Sequence, residues 1–208
     1  MPANEGKAND DGVGDVEVQP SLQPQLYWKL GTVLRSTLPL LVVMAAVGTL
    51  SGVVLQEFEE ELLKFPSTLI LVPALIGVGG NLGAILSSRL STAVHLGILE
   101  LNMSNIVFKN NLLAVAIASV FIFLILGLSA FTFGALFGVA SLSLNVILML
   151  AMASGGILMT VVVPVSILVI YSSHKLRLDP DDIAIPIVTT IGDITGVLSL
   201  FMVIVVLL

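Results

Sequence analysis

Five apolar stretches, each long enough to cross a bilayer, dominate this chain. They fall at about Val33–Leu55, Leu69–Leu90, Leu112–Gly138, Leu142–Tyr171 and Ile183–Leu208. About 30 Å of hydrocarbon requires about 20 helical residues, and every stretch meets that length. The runs are continuously apolar and lack the in–out alternation of a membrane barrel, so each is expected to be a helix that satisfies its own backbone hydrogen bonds. The predicted fold is an all-α integral membrane protein, a five-transmembrane-helix bundle. The connection between spans three and four is very short, so these two should form a tight antiparallel hairpin.

Composition excludes the main alternatives. Of 208 residues 57% are hydrophobic and only 11% charged, against about 25% charged in soluble domains, so an ordinary water-soluble enzyme is ruled out. Fourteen Asp and Glu outweigh eight Lys and Arg, a net charge of −6, which leaves no electrostatic footprint for nucleic acid. Cysteine is absent, excluding disulfides, thiolate nucleophiles and Cys-based metal centres. The only histidines, His95 and His174, are too few and too far apart in sequence for a His-rich metal site.

Residues 1–25 differ from the rest. Glu5, Asp10, Asp11, Asp15 and Glu17 face only Lys7 there, with no apolar run. The segment is expected to be a disordered acidic cytoplasmic tail rather than a signal peptide, with residues 26–208 forming the membrane domain. Tyr27 and Trp28 precede the first span, where aromatic anchors favour the headgroup level. Lys7, Lys29, Arg35, Arg89, Lys109, Lys175 and Arg177 fall on one side of the spans and Lys64 alone on the other. The excess of Lys and Arg predicts a cytoplasmic N-terminus and, with five spans, an external C-terminus. The first loop, 56–66, carries Glu57, Glu59, Glu60 and Glu61. It reads first as a solvated external loop and second as a cluster that raises local cation concentration.

One carboxylate stands apart. Every other acid lies in the tail or in a loop, whereas Asp193 falls ten residues past Ile183, inside the fifth span. At about 1.5 Å per residue that is about 15 Å into the membrane. An ionisable group at this depth is costly and points to function; the alternative is a protonated Asp bonded to a neighbouring helix for packing alone. Thr189 and Thr190 lie on the same helical face, and Gly192 with Gly196 forms a Gly-x-x-x-Gly pair that admits another helix closely. Asp179 and Pro180 read as N-cap and first helical residue; the alternative for Asp179, Asp181 and Asp182 is a cytoplasmic cation-binding mouth.

The second span places Asn81 at comparable depth, beside Gly79, Gly80 and Gly83. The sequence Gly79-Gly80-Asn81 is a poor helix former and is expected to unwind, turning backbone carbonyls toward a wet cavity; glycine-lined packing is the alternative. The candidate metal-binding set is therefore Asp193, Asn81, Thr189, Gly80 and Thr190. These are hard oxygen donors, suited to Mg2+ or Ca2+, and they equally permit Na+ or protons. One Asp cannot balance a divalent charge, but two copies across a two-fold axis can. Glycine-rich faces on spans two, three (Gly134 and Gly138) and five likewise predict a homodimer, with spans two and five on the axis.

Three segments carry a resemblance: Pro73-Ala74-Leu75 with Gly77 and Gly80-Asn81-Leu82; Ser87-Ser88-Arg89-Leu90-Ser91-Thr92-Ala93; and the run from Asp179-Pro180-Asp181-Asp182 to Thr189-Thr190-Ile191-Gly192-Asp193. They are similar to the MgtE-type magnesium transporters, and more closely to their relatives in solute carrier family 41, over roughly residues 30–208. The resemblance implies a homodimer with the pore between two five-helix units, hydrated Mg2+ coordinated by Asp193, a backbone-carbonyl role at Thr189, and Asn81 in the asparagine-rich turn of the second helix. That turn is reduced here to Gly80-Asn81-Leu82-Gly83, and with so short a tail the cytosolic sensor domains that gate bacterial members are not expected.

The expected function is transmembrane transport of divalent cations, Mg2+ first, by a multi-pass protein of the cell membrane with no organic cofactor. The alternatives are a Na+- or H+-coupled cation exchanger and a structural subunit of a larger membrane complex. An enzyme is not expected. A membrane aspartyl protease needs a second Asp at depth to share a proton, and a membrane serine protease needs a His at depth; the sequence offers neither.

Overall fold

The computed structural model describes residues 30–100, 102–139, 142–176 and 179–208. The acidic tail, the Tyr27–Trp28 anchor and the charges of Lys7, Lys29 and Arg177 lie outside the described residues. Of the described residues, 30–36 fall outside the unit Thr37–Leu208, which holds the helical bundle.

Six helices occur among the described residues, and no strand: α1 (Leu30–Glu57), α2 (Glu59–Lys64), α3 (Pro66–His95), α4 (Ile106–Leu136), α5 (Leu144–Lys175) and α6 (Pro180–Leu207). All except α2 contain a segment long and apolar enough to cross a membrane. The expected five-span all-α architecture therefore holds.

Helix ends follow local chemistry more than apolarity. α4 starts at Ile106, six residues before the apolar run, because Asn105 caps it: its Oδ1 accepts from Phe108 N at 3.0 Å and its Nδ2 donates to Ile98 O at 3.1 Å. The polar run Lys109-Asn110-Asn111 that follows Ile106, Val107 and Phe108 interrupts the apolar pattern and hid the start from an apolar reading. The same helix stops at Leu136, and Gly138 takes a φ of +69° just beyond it. Glycine populates this left-handed conformation without a Cβ penalty, so Gly138 is a helix-terminating residue and not part of a packing face. α6 begins at Pro180, directly after Asp179, as their pairing predicts.

The first loop is not simply solvated. Glu57, Glu59 and Glu60 are exposed, but the stretch contains α2, whose Leu62 retains only 3% exposure within the core cluster. Phe58 and Leu62, four residues apart, share one helical face and close over Val72, Val197, Leu200 and Phe201.

α3, α5 and α6 pack on one another, and α4 joins through α3 and α5. Leu71, Leu75, Leu150, Leu158, Val188 and Leu200 form the centre of the core. Small residues let these helices approach, as expected where lipid supplies no hydrophobic drive between them. Gly79 faces Leu158, Gly83 faces Val162 and Val188, Gly127 faces Leu148 and Ala151, and Gly155 lies on the ring of Phe123. The glycine faces of spans two, three and four thus meet partners inside one chain. No residue of Thr37–Glu57 in α1 is buried.

Candidate cation site

The site is built where α3 and α6 cross. Asp193 stands thirteen residues from Pro180 and fourteen from Leu207, the middle of α6. Asn81 stands fifteen residues from Pro66 and fourteen from His95, the middle of α3. Each is therefore about 20 Å from either end of its helix. Both residues thus stand at the middle of a helix long and apolar enough to cross a membrane.

Glycine brings the two helices together. A Cβ on Gly192 would stand 3.0 Å from Gly80 N, 3.1 Å from Gly80 Cα and 3.2 Å from Gly79 C. A Cβ on Gly80 would stand 3.2 Å from Asp193 Oδ1 and 3.4 Å from Thr189 Cα. The carboxylate of Asp193 and the backbone at Thr189 therefore lie directly against Gly80. One turn further along, a Cβ on Gly196 would meet Ile76 at 3.4 Å, an ordinary van der Waals approach. The Gly-x-x-x-Gly pair of the last span thus admits α3 of the same chain.

α3 runs unbroken through Gly79-Gly80-Asn81, so the expected unwinding does not occur. Leu158 on one flank and the Asp193–Thr189 surface on the other hold the segment in place, and inside a bilayer the helix itself is the readiest partner for its backbone groups. In this structure Gly80 gives the site room. Both threonine hydroxyls are turned to α6: Thr189 Oγ1 donates to Ile185 O at 2.9 Å and Pro186 O at 3.1 Å, and Thr190 Oγ1 donates to Pro186 O at 2.8 Å. They add a side-chain donor to carbonyls at and just before the in-helix proline; the carbonyl that Pro186 leaves without its ladder donor is that of Asp182, four residues earlier. Thr190 is buried, Thr189 and Asp193 are half-buried and Asn81 is exposed.

Among the described residues the side chains of Asp193 and Asn81 form no hydrogen bond or ion pair, and no group of three or more His, Asp or Glu side chains gathers into a metal cage. The arrangement offers one carboxylate with neutral oxygen donors beside it, which suits a hard cation that keeps part of its water shell. His95 and His174 lie in the last turns of α3 and α5, where positive charge is favoured by the helix dipole. His174 lines a cavity of about 310 Å3 with Val94, Leu99 and Tyr171; none of the candidate cation-site residues lines it. Sequence reasoning missed the role of α5: Ser166 Oγ donates to Val162 O at 2.8 Å and approaches Gly83 O at 3.5 Å, supporting α3 from behind the site. The only sequence signal for this was the spacing of small residues on α3.

A profile described as "MgtE: Divalent cation transporter" matches residues 72–203, an interval that runs from within α3 to within α6 and includes every candidate residue. Solute carrier family 41 member 2 of Homo sapiens is 32% identical over 195 residues, covering 89% of this chain and 33% of that protein. The protein of the same name from Xenopus laevis is 28% identical over 209 residues, covering 91% of this chain and 35% of its own length. The chain thus spans about a third of the length of these curated relatives. No solved structure gives a significant match. With five helices long and apolar enough to cross a membrane and a profile match over most of its bundle, this chain belongs to the MgtE family of divalent cation transporters and is a multi-pass membrane protein.

Proposed function

We propose that the protein carries Mg2+ across the membrane as a homodimer, with Asp193 of each copy facing the ion near mid-membrane. The observation that carries this reading is a carboxylate at the midpoint of α6, set against the Gly80 backbone of α3 and without a protein partner among the described residues. A charge at that depth is costly unless it is compensated, and a cation compensates it. Mg2+ holds its waters tightly and is usually met by one or two carboxylates. One Asp193 leaves a divalent ion half-neutralised and two neutralise it, which is the support for a two-fold arrangement. Asn81, exposed at the same depth, supplies a neutral oxygen to the ion or its water shell. Thr189, Gly80 and Thr190 line the approach: Thr189 and Gly80 through their backbone, Thr190 by holding the helix around Pro186. The Lys and Arg bias supports an orientation with the end bearing Lys109 and Lys175 in the cytoplasm and α2 outside.

The test is Mg2+ flux into proteoliposomes containing the purified protein, with and without a Na+ gradient. Asp193→Asn keeps size and hydrogen bonding and removes the charge, so flux should fall to the level of empty vesicles while the protein stays folded. Undiminished flux in that variant would leave Asp193 a packing residue.

A further inference from the structure

Gly192 precedes the proposed ion ligand and is buried at the closest approach of two helices. What a side chain there would strike is main chain: Gly80 N at 3.0 Å, Gly80 Cα at 3.1 Å and Gly79 C at 3.2 Å. Carbon atoms rest at about 3.5–4.0 Å, and backbone atoms cannot rotate aside as a leucine tip can. A methyl group at Gly192 therefore pushes α6 off α3 by a few tenths of an ångström. α5 packs against both helices, so the opening is taken up locally, at the residues that flank Gly192. Asp193 is the next residue, and its Oδ1 lies against Gly80.

We infer that Gly192 is a specificity-determining positioning residue: by bringing the backbones of α6 and α3 together at Gly80 it sets where the Asp193 carboxylate stands, and so favours the small divalent ion over the large one. This rests on the reading of Asp193 as the ion ligand. Mg2+ keeps a rigid, near-octahedral shell of waters and oxygens at about 2.0–2.1 Å, which a carboxylate set against it must match, whereas Ca2+ accepts six to eight oxygens in flexible geometry at about 2.3–2.6 Å. A displacement of a few tenths of an ångström is a large error for the first ion and a small one for the second. Gly192 touches neither ion nor water; it acts through Asp193.

The experiment measures the thermal stabilisation of the purified full chain against Mg2+ and, separately, Ca2+ concentration. It compares wild type, Gly192→Ala, Gly80→Ala, Asp193→Asn and Gly156→Ala, the last at a position with nothing within 4 Å of the new methyl. Gly192→Ala should weaken the Mg2+ response several-fold more than the Ca2+ response, while Gly156→Ala leaves the preference where it was. Gly80→Ala, whose Cβ meets Oδ1 at 3.2 Å, should shift the preference the same way and carries the test should Gly192→Ala not fold. Equal weakening of both ions, or an unaltered preference in the glycine variants, overturns the inference. If Asp193→Asn abolishes both responses and the preference still does not move, this inference alone fails. If Asp193→Asn responds as wild type does, the Asp193 site itself fails.

Discussion

The ring of Phe58 lies flat on that of Phe201, with centroids 3.2 Å apart and 20° between the planes. This stack ties the start of α2 to the far half of α6, eight residues beyond Asp193, and Leu62 completes the closure over Val72 and Leu200. A short helix of this length has little stability of its own; its position depends on these two side chains. The absence of cysteine from the chain makes the arrangement directly measurable. Leu63→Cys, at a position 56% exposed, should react readily with a thiol reagent, and Leu62→Cys, at a position 3% exposed, should be protected. Adding Phe58→Ala should raise the reactivity of Leu62→Cys toward that of Leu63→Cys, and equal rates without it would contradict the packing.

Adjacent glycines on α5 should behave oppositely. A Cβ at Gly155 would clash with the ring of Phe123, whereas a Cβ at Gly156 meets nothing within 4 Å. Gly155→Ala should destabilise by about 1–3 kcal/mol through overpacking. Gly156→Ala should stabilise by about 0.5–1 kcal/mol by removing backbone freedom. Melting of the two variants in the same detergent checks the sign.

The orientation reading is tested by sidedness. Antiparallel succession of the spans places Arg89, Lys109 and Lys175 at one end of the bundle and Glu59, Glu60 and Lys64 at the other. With the basic end in the cytoplasm, a membrane-impermeant reagent added outside intact cells should label Glu60→Cys and Leu208→Cys and spare Lys109→Cys and Lys175→Cys. The reverse pattern would invert the assignment.

Removing the ion should separate Asp193 from Asn81. A chelator should lower the melting temperature of Mg2+-loaded wild type, because a ligand of the folded state stabilises it. The same drop, reduced in size, is expected for Asn81→Ala, which loses a neutral donor. Asp193→Asn should melt at one temperature with and without chelator. A larger loss from Asn81→Ala than from Asp193→Asn would reverse their proposed roles.

Length and apolarity by themselves determined the five spans, because the bilayer is a uniform solvent and each helix satisfies its backbone within its own segment. They also isolated Asp193, since a single charge stands out against hydrocarbon wherever its neighbours lie. The boundary at Ile106 escaped this reading because a side-chain cap, not apolarity, starts α4 there. Only the tertiary structure decided what each glycine meets. Gly192 and Gly196 announce a close approach in sequence, yet that the approaching surface is Gly79, Gly80 and Ile76 of the same chain depends on contacts more than a hundred residues apart. The same holds for the unbroken helix at Gly79-Gly80-Asn81, where weak local propensity is outweighed by flanking helices, and for Leu62, whose burial among acidic neighbours comes from Val72 and Leu200 rather than from α2 itself. A local sequence records which surfaces can be covered; which surface covers them is settled by side chains that arrive from elsewhere in the fold.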